Sequence, residues 1–479
     1  MKVKGAREEI ASKISHRFLV LTPTGEEIPI DLDMVEKNEK MASEFPELMK
    51  VIDFEVLGKK PGMAPPSIKL MKEKELIDYE PASDSGHFRF YPKGALILKL
   101  LEDWADEIAR RYGAMQIETP ILYDWKHKAI RSQAESFHER HYSVRVPNHP
   151  KKEFVLRFAG DFGLFCMMKD ANFSHHQLPL KIYEYSKSYR YERSGELVGL
   201  RRLRGFSMPD IHTFCEDITQ SWIEYGNLYR HYSDLAAATQ VEYAIIFRAV
   251  EEFYSRHKNE ILMLLRYSRR PAIIELLSGM KHYWAVKHEF QGIDSVGGSC
   301  QVATVQLDVK DAETYGITFV NQRGEKKGCI ICHSSIGALE RWIFLMLETA
   351  LKAKIPALPL WISPSQIRII PVSDSFLEFA IETAKGLNAN RIRSEIDDRP
   401  NRMGYKIMLA EKDWIPYILV LGKEEQSSGY LSIRKRGHKA TYKTTLKQLV
   451  MDINLKTEKM PFRQSTLPVL MSKRPVFYG

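Results

Sequence analysis

The feature that most constrains this fold is a run of alternating side chains between Pro179 and Cys215. Successive side chains of a strand point to opposite faces, so residues two apart share a face. The tyrosines that follow this spacing are Tyr183, Tyr185, Tyr189 and Tyr191. The alternation breaks over residues 192–205, which predicts two antiparallel strands joined by a loop.

Helical patterns surround this predicted hairpin. Apolar residues at helical spacing predict a helix from Pro92 to Tyr112, followed by a short strand at residues 115–119. A long helix is predicted over about residues 216–240, and a strand at residues 328–333 leads into an apolar helix at residues 336–351. Antiparallel strands mixed with helices indicate an α+β body.

The last quarter of the chain has a different pattern. Pro356, Pro359 and Pro364 mark a linker, after which strand and helix patterns alternate as far as a strand at residues 417–421. This alternation is typical of a separate α/β domain with a parallel sheet.

Three parts are therefore expected: an N-terminal remnant or linker region at residues 1–76, the α+β body at residues 77–362, and the α/β domain at residues 363–479. The last part has 20 basic and 12 acidic side chains, a net charge of +8, whereas the whole chain carries +9. A basic module on a nearly neutral body indicates a polyanionic partner such as nucleic acid. A solvated lysine surface has the same composition, so this alternative stays open.

Membrane and secretory classes fit the sequence poorly. The longest uncharged apolar run, residues 342–347, is far shorter than the roughly 18 residues a membrane span needs. The first residues lack the apolar core of a secretory signal. Five cysteines in 479 residues do not suggest a disulfide framework. We therefore expect a cytoplasmic protein with no membrane partner.

The predicted hairpin carries a basic loop with residues suited to a nucleotide. Arg190 and Glu192 share one strand face, where an arginine can fork onto a phosphate and a carboxylate can accept from an amino group such as that of adenine. Arg202 lies on the returning side, and Phe206 offers an aromatic surface for a base. A basic surface hairpin without a ligand is the alternative interpretation.

A second candidate lies where the strand at residues 328–333 turns into its helix. Gly337 and Ala338 are small enough to let a ligand approach the backbone. Arg341 falls near the first turn of the helix, where the helix dipole disfavours a cation. An anionic ligand would explain this placement, and a solvent-facing arginine is the alternative.

Three segments resemble the signature motifs of class II aminoacyl-tRNA synthetases. They are the long helix and strand that end at Pro120, the segment from Arg190-x-Glu192 to Arg204-Gly205-Phe206, and Gly337-x-x-Glu340-Arg341. Residues 199–212, 304–308 and 399–407 are similar to threonyl-tRNA synthetases in particular. The resemblance covers roughly residues 77–463, with a class II catalytic domain at 77–362 and an anticodon-binding domain at 363–479.

The resemblance implies that ATP binds with magnesium, bent over an antiparallel sheet. The implied contacts are Arg190 with the α-phosphate, Glu192 with the adenine amino group, Arg202 with the outer phosphates, and Phe206 and Arg341 with the two faces of adenine. The implied catalytic residues are Arg190, Arg341 and His138, the last of which would help to deprotonate the terminal ribose hydroxyl of tRNA.

It also implies a threonine site that includes zinc. Asp210 would contact the amino group, and Gln301 and Gln306 would make polar contacts with the amino acid. His212 and His333 match two of the family's zinc ligands. Where the family has a cysteine as the third ligand, this chain has Asp161, whose carboxylate is also an allowed zinc ligand.

The implied partners are tRNA(Thr), ATP, L-threonine and a second copy of the chain, with Arg434 or Arg436 contacting the anticodon. Only about 75 residues precede the catalytic body, so we expect no domain that hydrolyses Ser-tRNA(Thr), and a separate protein that does so. Two alternatives stay open: a synthetase for a related amino acid such as serine or proline, and an RNA-binding regulator that has lost catalysis.

Overall fold

The computed structural model describes residues 14–30, 39–59, 61–131, 140–149 and 151–477. Contacts between Cα atoms divide the chain into two compact units. The first comprises the described residues of 1–64 and 105–345, and the second those of 65–104 and 346–479.

The strands fall into one large sheet and four smaller ones. In chain order they are β1 (His16–Leu21), β2 (Glu27–Ile30), β3 (Ile77–Tyr79), β4 (Phe88–Phe90), β5 (Met115–Gln116), β6 (Leu122–Asp124), β7 (Ser143–Arg145), β8 (Glu153–Leu156), β9 (Leu180–Tyr189), β10 (Gly205–Cys215), β11 (Tyr243–Val250), β12 (Ala272–Leu277), β13 (Trp284–Ile293), β14 (Ser299–Asp308), β15 (Thr318–Val320), β16 (Lys326–Gly328), β17 (Ile330–Ser335), β18 (Ile367–Pro371), β19 (Ser394–Ile396), β20 (Tyr417–Leu421), β21 (Tyr430–Lys435) and β22 (Thr441–Thr445).

The helices follow the same chain order. They are α1 (Glu39–Glu44), α2 (Pro46–Val51), α3 (Ser67–Glu73), α4 (Pro92–Tyr112), α5 (Asp161–Asp170), α6 (Ile218–Thr239), α7 (Glu251–Ser268), α8 (Asp311–Tyr315), α9 (Leu339–Lys352), α10 (Leu377–Ala389), α11 (Met403–Lys412), α12 (Lys423–Ser428) and α13 (Leu446–Thr457). Shorter 3-10 or π segments lie at Ile52–Val56, His175–Gln177, Ser194–Glu196, Asp374–Phe376 and Met471–Lys473.

The ten-stranded sheet of the first unit has the order β2-β1-β12-β11-β13-β14-β17-β10-β9-β5. Its pairs are antiparallel except β11 with β12 and β5 with β9. β9 and β10 pair antiparallel on either side of a loop, which confirms the hairpin predicted from the alternating residues. Helices α4, α6 and α9 also lie close to their predicted bounds.

The N-terminal stretch contributes two strands to the ten-stranded sheet. β1 pairs antiparallel with both β12 and β2, so residues 16–30 extend the central sheet. Leu19, Val20 and Leu21 are buried there. Two short strands cannot bury an apolar face by themselves, and pairing with β12 provides the cover.

The strand after α4 ends earlier than predicted, at Gln116 rather than Thr119. The backbone N–H of Thr119 donates to Oε1 of Glu184 at 2.8 Å, and its hydroxyl bonds the same carboxylate. This backbone group is therefore used by a buried carboxylate instead of a strand ladder.

In the second unit, a five-stranded sheet has the order β19-β18-β20-β21-β22. β18 is parallel to β19 and β20, as predicted, whereas β21 and β22 add antiparallel pairs. Ile369, Leu419 and Ile433 are fully buried in its core.

Two exclusions drawn from the sequence can be compared with the structure. None of the helices in the described ranges is long and apolar enough to cross a membrane. All five cysteines lie within the described residues as free thiols, and four of them are buried.

Candidate active site

A cavity of about 580 Å³ opens on the ten-stranded sheet of the first unit. Strands β10, β14 and β17 and the beginning of α9 supply much of its wall. Eleven residues predicted for catalysis, nucleotide, threonine or metal binding line it: Asp161, Arg190, Glu192, Arg202, Phe206, Asp210, His212, Gln301, Gln306, His333 and Arg341.

Strand register brings these residues together from distant parts of the sequence. Phe206, Asp210 and His212 are spaced by even numbers on β10, so they share a face. β17 pairs beside β10 with His333 opposite His212, and β14 pairs beside β17 with Gln306 opposite His333. Three neighbouring strands therefore direct polar side chains into one cavity.

Asp161, His212 and His333 form a compact cluster whose ligand atoms all lie within 4.8 Å of one another. Nε2 of His212 is 3.2 Å from Oδ1 of Asp161, and the two imidazole ring centres are 4.9 Å apart. Asp161 is the first residue of α5, which aims its carboxylate at the sheet. Two imidazoles and a carboxylate are a donor set suited to a divalent cation.

The electrostatics of the cluster favour an ionised Asp161 and a neutral His212. Burial opposes ionisation of Asp161, but the hydrogen bond from His212 and the charges of the two histidines outweigh it, so the pKa of Asp161 falls to about 2. Burial lowers the pKa of His212 despite the nearby Asp161. Burial opposes protonation of His333 too, but its hydrogen bond to Asp308 and the nearby carboxylate charges outweigh burial and raise its pKa. Metal ligation requires a carboxylate and neutral imidazoles, so a cation bound here would displace the second ring proton of His333.

Asp210 is a buried carboxylate with unused hydrogen-bonding capacity. Its Oδ2 accepts from the Ser186 hydroxyl at 3.3 Å, whereas Oδ1 has no hydrogen-bond partner among the described residues. Burial and the charge of Asp161 raise the pKa of Asp210 well above its ordinary value. A cationic ligand group in the cavity would satisfy this oxygen and stabilise its charge.

The other part of the cavity concentrates guanidinium groups around an aromatic ring. The guanidinium of Arg190 lies 5.3 Å from the ring centre of Phe206 and donates from Nε to the carbonyl of Phe158 at 2.9 Å. Burial and the charge of Arg341 lower the pKa of Arg190. Two cations that lie close together with restricted access to water favour a polyanionic ligand.

Glu192 and Arg202 pair with each other across the loop. Nη2 of Arg202 lies 2.8 Å from Oε2 of Glu192, and the same nitrogen donates to Glu196 at 2.8 Å. Both groups face the cavity, so a ligand can replace this pairing with contacts to a base and to phosphates.

The turn from β17 into α9 explains the glycine and the arginine singled out in the sequence. Gly337 has φ +85°, and a Cβ there would lie 2.2 Å from the carbonyl oxygen of Val302. The glycine is therefore required by backbone packing as well as by access for a ligand. Arg341 donates to the backbone carbonyls of Arg201 and Gln301, at 3.1 and 2.8 Å, which fixes its guanidinium at the cavity wall.

Sequence reasoning missed several residues of this cavity. Arg248, Glu275 and Glu289 form a buried ion-pair network along another part of the wall. The Tyr283 hydroxyl donates to Oε1 of Gln306 at 3.0 Å. Asp308 is not one of the lining residues but bonds the lining residue His333. Its even spacing from Gln306 on β14 was a usable signal, because residues two apart share a face.

Three predicted residues do not belong to the described cavity. His138 lies outside the described residues. Arg434 and Arg436 lie in the second unit, on and just after β21. Arg434 is half-exposed and 3.8 Å from Glu411, whereas Arg436 donates to the backbone carbonyls of Pro356 and Glu411, both at 2.7 Å.

Another cavity, of about 570 Å³, lies in the second unit near the end of α13. Arg391, Arg393 and Phe462 are among its lining residues, and the eleven predicted residues are not. It therefore has a different chemistry from the cavity on the large sheet.

Comparisons with known proteins identify the family. Residues 142–350 match the tRNA synthetase class II core domain (G, H, P, S and T), and residues 366–454 match the anticodon binding domain. Threonine–tRNA ligase of Pyrococcus furiosus is 38% identical over 488 residues, covering 100% of this chain and 76% of the relative. The chain belongs to the threonine–tRNA ligase family. It is thus a ligase with a class II synthetase core.

A second threonine–tRNA ligase agrees with this membership, and two solved structures share the fold. The enzyme of Methanococcus maripaludis is 39% identical over 492 residues, covering 98% of this chain and 78% of the relative. The RNA binding domain of threonyl-tRNA synthetase from Cryptosporidium parvum has the same fold, with a TM-score of 0.71 at 22% identity over 83% of this chain and 98% of that chain. Prolyl-tRNA synthetase from the same organism, solved with L-proline and AMP, has a TM-score of 0.65 at 16% identity, covering 82% and 74%.

Proposed function

We propose that this chain joins L-threonine to tRNA(Thr) through a threonyl-adenylate formed in the cavity on the ten-stranded sheet. A threonine carboxylate oxygen attacks the α-phosphorus of ATP, and the bond to the bridging oxygen breaks to release pyrophosphate. The terminal ribose hydroxyl of tRNA then attacks the carbonyl carbon, and AMP leaves. The observation that carries the proposal is the convergence of eleven predicted residues on one cavity.

The guanidinium side of the cavity would bind ATP with its magnesium. Arg190 would hold the α-phosphate, Arg202 the outer phosphates, and Glu192 the adenine amino group. Phe206 and Arg341 would enclose the adenine ring. Such a site accelerates the reaction by positioning the reactants and by neutralising the charge that develops on the phosphate.

The carboxylate side would bind threonine. Asp210 would accept hydrogen bonds from the ammonium group through its unpartnered oxygen. Gln301 and Gln306 line the same wall and would contact the polar groups of the amino acid. The opposite polarity of the two sides suits an anionic nucleotide beside an ammonium group.

Asp161, His212 and His333 fit a zinc ion by donor type and proximity. A bound zinc would supply a Lewis-acid contact for the amino and hydroxyl groups of threonine. A site that reads the hydroxyl rejects valine strongly, because the analogue leaves the site's polar groups unpaired. Metal analysis of the purified chain, with and without Asp161→Ala, tests this assignment. One equivalent in the wild type and a clear loss in the variant are expected.

The remaining assignments complete the proposed enzyme. Residues 77–362, with residues 16–30 extending their sheet, would form the catalytic domain, and residues 363–479 would bind the anticodon. His138 would help to deprotonate the tRNA hydroxyl, so His138→Ala should slow transfer to tRNA more than adenylate formation. Of the two anticodon candidates, Arg434 is the more accessible, whereas Arg436 already donates hydrogen bonds to two backbone carbonyls.

The enzyme is further proposed to act as a homodimer in the cytoplasm. Met115, Ile121 and Leu122 are exposed apolar residues near β5, the last strand of the large sheet. A second copy packed there would cover both the apolar side chains and the strand edge. Five free thiols suit a reducing compartment.

Serine errors are proposed to be cleared by a separate protein. Serine keeps the hydroxyl and lacks one methyl group, a difference worth only about 1–3 kcal/mol in binding. The purified chain should therefore form some Ser-tRNA(Thr) and should not hydrolyse it. Rapid deacylation of Ser-tRNA(Thr) by the chain alone would contradict this part of the proposal.

Amino acid-dependent exchange of pyrophosphate into ATP tests the central reaction. Threonine should support exchange, serine should do so weakly, and proline and valine should not. Arg190→Ala should abolish it, whereas Arg323→Ala, on an exposed turn away from the cavity, should not. Exchange driven by proline, or no exchange with any amino acid, would favour the alternatives of a related synthetase or a regulator without catalysis.

A further inference from the structure

We infer that Asp308 is a positioning residue that fixes the ring tautomer of His333 and so prepares its other nitrogen for a metal ion. The inference rests on the metal site proposed above and extends it to a residue outside the predicted ligand set. Its basis is one chain of hydrogen bonds, from two backbone amides through a buried carboxylate to an imidazole.

The Asp308 carboxylate is completely buried, and two backbone N–H groups hold one of its oxygens. Its Oδ1 accepts from the backbone N–H of Lys310 at 2.8 Å and from that of Asp311 at 2.9 Å. Lys310 lies between β14 and α8, and Asp311 is the first residue of α8. This oxygen cannot rotate away without breaking both hydrogen bonds to the backbone.

The other oxygen of this carboxylate meets His333. Oδ2 lies 2.8 Å from Nε2 of His333, and both side chains are almost inaccessible to solvent. A carboxylate can only accept, so Nε2 carries a proton and donates it. In the neutral ring the lone pair then lies on Nδ1, which is the form a metal ion requires.

The Asp308 carboxylate would therefore fix the orientation of the His333 imidazole, and the imidazole would bind the cation. Carboxylates placed in this way raise the basicity of the ligand and hold its ring orientation, and their loss weakens metal binding about 10- to 100-fold. We expect Asp308 to act on threonine recognition only through His333.

Asp308→Asn gives an unusually specific test. The amide oxygen of the introduced side chain must stay with the two backbone N–H groups, because its NH₂ group cannot accept from them. The NH₂ group then faces His333 and donates to Nε2, which moves the ring proton to Nδ1. The variant keeps the shape of the wild type, but Nδ1 of His333 then carries the ring proton and has no lone pair for the cation.

The experiment measures the affinity of the full chain for Zn²⁺ and Co²⁺ by competition with a chromophoric chelator. Asp308→Asn should bind both ions about 10- to 100-fold more weakly than the wild type and should alter the visible Co²⁺ spectrum. Asp308, Asp311 and His333 also have ligand atoms within 4.8 Å of one another, so Asp311→Asn tests direct ligation by these carboxylates. It should stay near wild type if Asp308 only positions His333, and a loss as large as that of Asp308→Asn would overturn the positioning role.

Asp308→Ser separates the tautomer from general disruption. It is less similar in shape to aspartate, but it leaves room for water to accept from Nε2, so it should bind metal more tightly than Asp308→Asn. Equal affinities for the wild type and Asp308→Asn, or a greater loss in Asp308→Ser, would overturn the role of Asp308. If the wild type binds neither ion, the proposed metal site itself fails.

Discussion

The sharpest prediction concerns Asp210, where removing one charge should harm catalysis without harming the fold. Asp210→Asn keeps the size of the side chain and its contact with the Ser186 hydroxyl. It replaces the unpartnered carboxylate oxygen that faces the cavity, so the ammonium group of threonine loses a charged acceptor.

The magnitude follows from the kind of hydrogen bond that is lost. Hydrogen bonds to charged groups contribute about 1.5–3 kcal/mol, and each 1.4 kcal/mol corresponds to a factor of about ten. The kcat/KM for threonine in pyrophosphate exchange should therefore fall about 10- to 150-fold. The KM for ATP should change little, because ATP is proposed to bind the guanidinium side.

The stability of the same variant should not fall. Burial and the charge of Asp161 raise the pKa of Asp210, so the folded structure disfavours the carboxylate form at this position. A neutral amide removes that cost, and the Tm of Asp210→Asn should equal or exceed that of the wild type. Asp217→Asn is the matched control, because asparagine is an equally good N-cap for α6.

Two results would refute this reasoning. An unchanged kcat/KM for threonine would show that Asp210 does not meet the substrate's ammonium group. A loss of activity accompanied by a large drop in Tm would show that the carboxylate is needed for the fold rather than for recognition.

Three further predictions concern pH, assembly and tRNA. Burial raises the pKa of Glu340 to about 7, so the folded chain holds this proton more tightly than the unfolded chain. The free energy of unfolding should therefore fall by about 3 kcal/mol as pH rises from about 4.5 to about 7. Glu340→Gln should remove this pH dependence in denaturant titrations. Leu122→Asp should convert the proposed dimer into a monomer by light scattering, and a persistent dimer would exclude this surface. Arg434→Ala should raise the KM for tRNA(Thr) about 10- to 100-fold without changing pyrophosphate exchange, whereas Arg436→Ala should mainly lower Tm; equal tRNA effects would contradict the distinction.

The sequence predicted those parts of the molecule whose signal is local. The hairpin around residues 192–205 follows from the alternation of side chains, and α4, α6 and α9 follow from helical spacing. The resemblance to a known family then brought distant residues to one cavity, because family motifs record tertiary proximity that periodicity does not contain.

The parts it missed depend on pairing between distant segments. Nothing near β1 and β2 in sequence indicates that they join β12, since strand pairing is decided by the whole sheet. The role of Asp308 depends on how β14 aligns with β17. The shortened β5 reflects a bond between Thr119 and the buried Glu184, which lies 65 residues further along the chain.

The most direct measurement is a crystal structure of the chain with a non-hydrolysable threonyl-adenylate analogue. The adenine should lie between Phe206 and Arg341, the linkage that replaces the α-phosphate should contact Arg190, and the amino group should lie within hydrogen-bond distance of Asp210. An analogue bound elsewhere, such as the cavity near Phe462, or bound with its amino group away from Asp210, would contradict the account.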